Sequence, residues 1–486
     1  MNRPVRRVVI AVLVLFAALL ANITYVQFVE AGSLRNNSLN GRGLIAQYAH
    51  PRGQIIADGQ AIASSVATTD TLKYQRHYPE GKVFAPITGF DSLYNQTAIE
   101  GTEDGLLDGS DGRLALRRIS DIFTGREPKG GNVVVTISRR AQETAYNAMA
   151  KQTGAVVALD PRTGAILAMV STPSWDPNLL STHDSAQTDR VYNRLDKDAH
   201  QPLLDRAIAQ NYPPGSTFKT VIAAAALNNG LTPQTRVPAP DALQLPGSTH
   251  VLHNFAGETC GNGMTDTLIH ALAISCNTAY AKLGMKLGAG PVKTQAAAFG
   301  ITDQGFTMPL RVAASSTGPI PSQAALAESS IGQQDVRLTP MQGAMIAAAI
   351  ADKGALMKPY LVNQEEAPDL TVLKTTQPQR LRTAMTPAVS ASLTTMMEAV
   401  VSQGTGQPAQ IPGVKVAGKT GTADNAPGKA PHAWFIGFAP ADHPTVAVAV
   451  LIEHGGVRGN ETTGGMAAGP VAKAVMQAVL AQQGGR

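Results

Sequence analysis

Cysteine is nearly absent: Cys260 and Cys276 are the only two in 486 residues, which excludes a disulfide-rich scaffold and a four-cysteine zinc site. No H-E-x-x-H or other tight grouping of ligand-type side chains occurs, so neither a metal nor another cofactor is implied. Charged residues are scarce at 15% and aromatic residues scarcer at 5%. Nothing resembles a basic stripe with interleaved aromatics, which argues against nucleic acid as a partner. The net charge of +5 fits a mildly basic globular protein, with attraction to an anionic cell surface as the sharper alternative. What the chain has in quantity is glycine (46) and proline (31), hence many turns, and 44% hydrophobic residues, enough for a large core and two or three domains.

Long apolar runs are also lacking, with one exception at the start. Residues 1–7 carry Arg3, Arg6 and Arg7, and Val8–Val29 is apolar apart from Asn22, Thr24 and Gln27. That run is long enough to cross a bilayer of about 30 Å. Positive charge before it predicts a cytoplasmic N-terminus, a single-pass anchor over 8–29 and everything else outside the cell membrane. A cleaved signal peptide is the competing reading, but the apolar block is long and lacks a convincing small-x-small cleavage site before a polar stretch.

Residues 30–151 are polar and rich in turn signals, and are expected to form an extended, strand-rich, membrane-proximal and non-catalytic domain. Within it Val133–Ile137 reads as a strand and Arg139–Lys151 as a helix. The pattern changes over 152–486. Ala155–Leu159 and Ala165–Val170 flank Asp160-Pro161-Arg162-Thr163-Gly164, a hairpin signal. A mostly helical stretch follows from about 203 to 400. Strands return at Val414–Ala423, Ala433–Ala439 and Thr445–Glu453, and a helix over Gly469–Gln483 closes the chain. The fold class expected is α+β: an antiparallel sheet assembled from both ends of the segment, flanked by helices, with a helical subdomain inserted.

Tyr212-Pro213-Pro214-Gly215-Ser216-Thr217-Phe218-Lys219 is a proline-glycine loop running into the helix formers Thr220–Leu227. On a helix, residues three apart share a face, so Ser216 and Lys219 form a nucleophile-and-base pair. About one S-x-x-K arises by chance in a chain this long, so the pair needs company. Lys419-Thr420-Gly421-Thr422, the chain's one K-T-G, falls on the first late strand, where Gly421 marks a close approach by another backbone or a ligand. An edge strand there suits an extended peptide. The S-x-N pattern occurs twice, at Ser38-Leu39-Asn40 and Ser275-Cys276-Asn277. Only the second lies between the other two motifs.

S-x-x-K, then S-x-N, then K-T-G is the motif order of penicillin-binding proteins and class A β-lactamases. The resemblance to class B, monofunctional penicillin-binding proteins covers residues 50 to 480. It includes Arg52–Gly59, Gly154–Ala168, Ser330-Ile331-Gly332-Gln333 with Thr339-Pro340, Gly418–Ala423, and Ala433–Pro440. The short N-terminal module is similar to the actinobacterial penicillin-binding protein A type. Two departures stand out: Gly59 follows Asp58 directly, and Cys276 takes the middle of S-x-N.

The resemblance implies a penicillin-binding transpeptidase fold and a D,D-transpeptidase that crosslinks peptidoglycan stem peptides in growth or division. It would take D-Ala-D-Ala as donor and an amine as acceptor, and β-lactams would acylate it. The roles implied are Ser216 as nucleophile, Lys219 as base, Ser275 as proton relay and Asn277 as holder of Lys219 and the substrate amide. Lys419, Thr420 and Thr422 would bind the substrate carboxylate, with the backbone N–H groups of Ser216 and Thr422 beside Gly421 as oxyanion hole. Partners implied are the cytoplasmic membrane, a membrane glycosyltransferase of the SEDS family and other wall-synthesis proteins. A D,D-carboxypeptidase and a non-enzymatic β-lactam sensor or wall-synthesis scaffold remain open. A β-lactamase is disfavoured, since no E-x-x-x-N lies between Ser275 and Lys419. A bifunctional enzyme would need a glycosyltransferase domain for which residues 30–151 leave no room.

The two cysteines lie in the part expected outside, where disulfides persist. A Cys260–Cys276 bridge is expected, tethering the middle motif; two buried reduced thiols are the alternative.

Overall fold

The computed structural model describes residues 3–30, 41–149, 151–424 and 428–483. The other S-x-N, at Ser38–Asn40, falls outside them. Helix α1 (Arg3–Thr24) runs into a π-helical turn, Tyr25–Val29, and no residue of the pair is buried. Its mean hydropathy of 2.5 and its length suffice to span a membrane.

The membrane-proximal part contains strands β1 (Ile55–Ala57), β2 (Gln60–Ala67) and β3 (Tyr74–His77), helix α2 (Gly81–Thr88), strand β4 (Asn132–Val135) and helix α3 (Arg139–Met149). The Glu100 carboxylate is buried between Arg52 Nε at 2.7 Å and Arg76 Nε at 2.6 Å. A buried carboxylate needs such partners, and burial alone would favour its neutral form. Here the two guanidiniums win and hold it below its ordinary range.

Next come β5 (Gly154–Leu159), β6 (Ile166–Thr172), α4 (Lys219–Asn228), α5 (Leu268–Ala273), α6 (Asn277–Leu287) and α7 (Pro340–Ala351). They are followed by β7 (Val362–Glu366), β8 (Val372–Thr375), α8 (Pro387–Gln403), β9 (Ala417–Ala423), β10 (His432–Ala439), β11 (Val446–Ile452) and α9 (Gly464–Gln483). The principal sheet is five-stranded and antiparallel, in the order β9-β10-β11-β5-β6. The β5–β6 hairpin and the late meander therefore join at β5–β11, with Val157 opposite Ala449.

Strands β10 and β11 are buried along their whole length, and apolar apart from His432, because both faces are covered. On one face Val446, Val448 and Val450 pack with Ala141 and Ala145 of α3 and Val475 of α9. On the other, Ala447 and Ala449 meet α7. Every residue of α7 is buried, as an all-round apolar helix requires. A Cβ on Gly343 would come 3.3 Å from that of Ala449, so small residues on both elements set the spacing.

The sheet of the membrane-proximal part is completed from far along the chain. Its order is β8-β7-β4-β1-β2-β3, with β7 antiparallel to β4 and β1 parallel to it. Asp58 fastens the parts further: its Oδ2 accepts from the backbone N–H of Arg139 at 2.8 Å and from Gln482 Nε2 at 3.2 Å.

Candidate active site

Among the described residues strand β9 is an edge strand, so one side of its backbone has no partner strand there. Against it lies the 3₁₀ turn Gly215–Phe218, which leads into α4. The approach is close because both segments carry glycine. A Cβ on Gly421 would come 2.7 Å from Pro214 O, and one on Gly215 (φ +53°) 2.6 Å from Thr422 O. Behind the turn Gly332 accepts from Gly215 N at 3.0 Å, and Trp434 Nε1 donates to Pro213 O at 3.0 Å. Ser216 is thus held on a braced turn with its side chain partly exposed. Its Oγ makes no hydrogen bond among the described residues.

Lys219 opens α4 and Lys419 sits on β9; both are 0% exposed. Lys219 Nζ donates to Ser275 O at 2.6 Å and Asn277 Oδ1 at 2.7 Å, with Ser275 Oγ at 3.4 Å. Lys419 Nζ donates to Ser275 Oγ at 3.0 Å and Thr420 O at 2.9 Å. One hydroxyl thus stands between the two lysines, and the three motifs form one hydrogen-bonded cluster.

Among the described residues neither ammonium has a carboxylate partner. Burial, and then the neighbouring Lys419 charge, hold Lys219 well below the usual lysine range, while burial brings Lys419 down to about 7. A lysine in that condition can act as a base at neutral pH.

The Ser275 backbone is left-handed, with φ +66°, and it joins α5 to α6. Asn277 is the first residue of α6, and its amide is oriented at both ends: Nδ2 donates to His253 O at 3.1 Å while Oδ1 accepts from Lys219. The Cys260–Cys276 disulfide is formed, and both cysteines are buried. It anchors the residue between Ser275 and Asn277. Reduction is expected to slow acylation by penicillin more than it alters far-ultraviolet circular dichroism; equal rates before and after would remove the bridge from the site's support.

Thr420 Oγ1 lies 2.6 Å from Thr405 Oγ1, and Thr422 Oγ1 accepts from Gly464 N at 3.3 Å. The structure therefore brings Lys219, Ser275, Asn277 and Lys419 together beside the Ser216 turn and the Thr420–Thr422 edge.

The sequence reading missed Asn254. Its buried Oδ1 accepts from the backbone N–H groups of Asn277 at 3.0 Å and Thr278 at 3.1 Å, capping α6 from outside the helix. A local capping pattern could not reveal it, since 23 residues separate Asn254 from Asn277. Losing such a cap typically costs about 1 kcal/mol. Asn254→Ala should lower the melting temperature modestly and slow acylation, because α6 carries Asn277. Thermal melts alongside penicillin labelling check both.

A serine on a braced turn, two desolvated lysines and an edge strand define a serine acyltransferase site of the serine–lysine type. The penicillin binding protein transpeptidase domain family matches residues 154–477, and the chain belongs to that family. The penicillin binding protein A dimerisation domain family matches residues 52–133. The chain is 49% identical to the peptidoglycan D,D-transpeptidase PbpA of Mycolicibacterium smegmatis and 46% identical to that of Mycobacterium tuberculosis, each over 99% of both chains. It is also similar to solved structures of penicillin-binding protein A from M. tuberculosis. The ceftriaxone acyl-enzyme complex gives TM-score 0.87 at 47% identity, covering 90% of this chain and 100% of that one. The penicillin G acyl-enzyme complex gives 0.85 at 47%, covering 89% and 100%.

Proposed function

We infer that the protein is a peptidoglycan D,D-transpeptidase acting through an acyl-enzyme on Ser216. The observation that carries this is the Ser275 hydroxyl, which links Lys219 and Lys419 across the cleft.

In this reading Ser216 Oγ attacks the carbonyl carbon of the D-Ala-D-Ala amide, and its proton passes to neutral Lys219. Backbone N–H groups of Ser216 and Thr422 receive the oxyanion; one such donor is typically worth ~10²–10³ in rate. Ser275 Oγ accepts from the lysines, so its own O–H can protonate the leaving amine while Lys219 returns the Ser216 proton to Ser275, and terminal D-Ala departs. Lys419, Thr420 and Thr422 hold the substrate carboxylate. An acceptor amine then attacks the ester, releasing the crosslinked peptide and restoring Ser216. A β-lactam is opened by the same attack.

The apolar run of α1 supports a single-pass anchor over 8–29 with a cytoplasmic 1–7. The membrane-proximal domain (30–151) and the transpeptidase domain (152–486) then lie outside, where a SEDS glycosyltransferase is the proposed partner. N-terminal sequencing of the mature protein tests the anchor; a start near residue 30 would refute it.

The activity is tested by incubating the full-length chain with a pentapeptide donor and an amine acceptor. Crosslinked product is expected. Trimmed tetrapeptide alone would make the enzyme a carboxypeptidase, and an acyl-enzyme that never turns over a sensor.

A further inference from the structure

The loop that presents Ser216 begins at Tyr212, which is held by its backbone, its ring and its hydroxyl. The backbone exchanges two hydrogen bonds with Leu338, N to O and O to N, both at 2.9 Å. The ring is buried edge-on against His432 and Trp434 of β10, with centroids 5.4 and 6.4 Å away. Those two residues lie opposite Ala423 and Gly421 in the ladder to β9. Tyr212 therefore packs on the strand that backs the K-T-G segment, and the same loop goes on to deliver Ser216.

The hydroxyl reaches further into the fold. Tyr212 O–H donates to Glu453 Oε1 at 2.6 Å, directly after the end of β11. That carboxylate is itself fixed. The same oxygen accepts from Arg206 Nε at 2.9 Å, and the Glu453 backbone N–H donates to Thr153 O at 2.7 Å. Arg206 is buried, and its terminal nitrogens donate to the carbonyls of Gln201 and His200. Its backbone N–H donates to Ser171 Oγ on β6 at 3.0 Å. Burial, and then the Glu453 charge, hold the phenol above its ordinary range, so the hydroxyl remains a donor. Packing with Ala423, Trp434 and Leu451 needs only the ring. The hydroxyl adds a bond from the nucleophile loop to an anchored charge at the end of a central strand.

The geometry points to Tyr212 and Glu453 as positioning residues for acyl transfer, their bond fixing how far the Ser216 turn stands from β9; this rests on the Ser216 acyl-enzyme reading above. That distance sets the spacing of the Ser216 and Thr422 N–H groups that would receive the oxyanion. It is already tight, since a Cβ on Gly421 would come 2.7 Å from Pro214 O. A misplacement of about 1 Å can cost ~10² in rate. The bond from Trp434 Nε1 to Pro213 O persists without the Tyr212 hydroxyl, so a partial loss of rate is expected.

The test follows the labelling of the full-length chain in nanodiscs by a fluorescent penicillin over time. The final amount of label reports the folded fraction, and the rate reports the site. Tyr212→Phe, which keeps the ring and the Arg206–Glu453 pair, should reach the wild-type endpoint about tenfold more slowly. Glu453→Gln, which still offers the hydroxyl an oxygen, should give an intermediate rate for the molecules that label. Because Glu453 acts through Tyr212, the double variant should be no slower than Tyr212→Phe alone. A purely structural role would lower the endpoint or the melting temperature and leave the rate unchanged. Tyr212→Phe labelling at the wild-type rate, or a double variant slowed by the product of the two single effects, would overturn the inference while wild-type label on Ser216 left the acyl-enzyme reading standing. Wild-type label on another serine would overturn both.

Discussion

Ser216→Ala should be silent in every assay of covalent capture. A fluorescent penicillin labels the wild type and leaves this variant unlabelled, while its melting temperature stays within a few degrees. The expectation of an intact fold rests on position: the Ser216 side chain is partly exposed, and its Oγ makes no hydrogen bond among the described residues. The turn is braced by neighbours, through Gly215 N to Gly332 O and Trp434 Nε1 to Pro213 O. Removing one hydroxyl therefore deletes the nucleophile without unpacking its support. Mass mapping of penicillin to any other serine would refute the assignment.

Lys219→Ala should slow acylation by ~10²–10⁴, the usual contribution of a positioned base. The fold should stay intact, although Ser275 O and Asn277 Oδ1 lose their donor. The pH profile gives a sharper signature. Lys219 is held below the ordinary lysine range, so its neutral form is present near neutrality and is lost on acidification. The second-order rate of acylation should therefore fall as pH falls. Lys419, brought down to about 7, loses its charge above that point in the free enzyme, which weakens its hold on the carboxylate of penicillin. A bell-shaped profile is expected, its two apparent pKa values belonging to the coupled pair. Rates rising steadily to pH 9 would show that the charge on Lys419 is not needed. In Lys219→Ala the acid limb should disappear.

Much of the catalytic part was legible in the sequence because its signals are local. The hairpin around Asp160–Gly164, the apolar strands near the end and the proline-glycine entry to α4 each announce themselves within a few residues. The three motifs were joined by their order along the chain. Late-strand boundaries shifted by only a few residues: β9 begins at Ala417 where Val414 was expected, and α9 begins at Gly464 where Gly469 was expected. What the sequence concealed depends on distant pairing. Strands β7 and β8 complete the membrane-proximal sheet from beyond residue 360, since edge pairing leaves no periodic mark on its partner. Helix α3 precedes the expected boundary at 151, yet its alanines pack beneath β5 and β11. Asn254 and Thr405 support motif residues from separate segments, and nothing in their own neighbourhoods signals it.

The joint between β5 and β11 also sets a timetable for the nascent chain. The middle of the principal sheet pairs residues 154–159 with residues 447–452. Its central ladder therefore cannot close until almost the entire polypeptide has been synthesised. A chain emerging N-terminus first must hold β5 and β6, both strongly apolar, without their neighbour on one side for most of its synthesis. Pairing between such distant segments is slow and leaves hydrophobic edges open in the interval. Holdase chaperones that shield extended segments should therefore matter for the yield of this protein. Chains interrupted before residue 446 should be cleared by proteolysis, with no smaller active enzyme accumulating in their place.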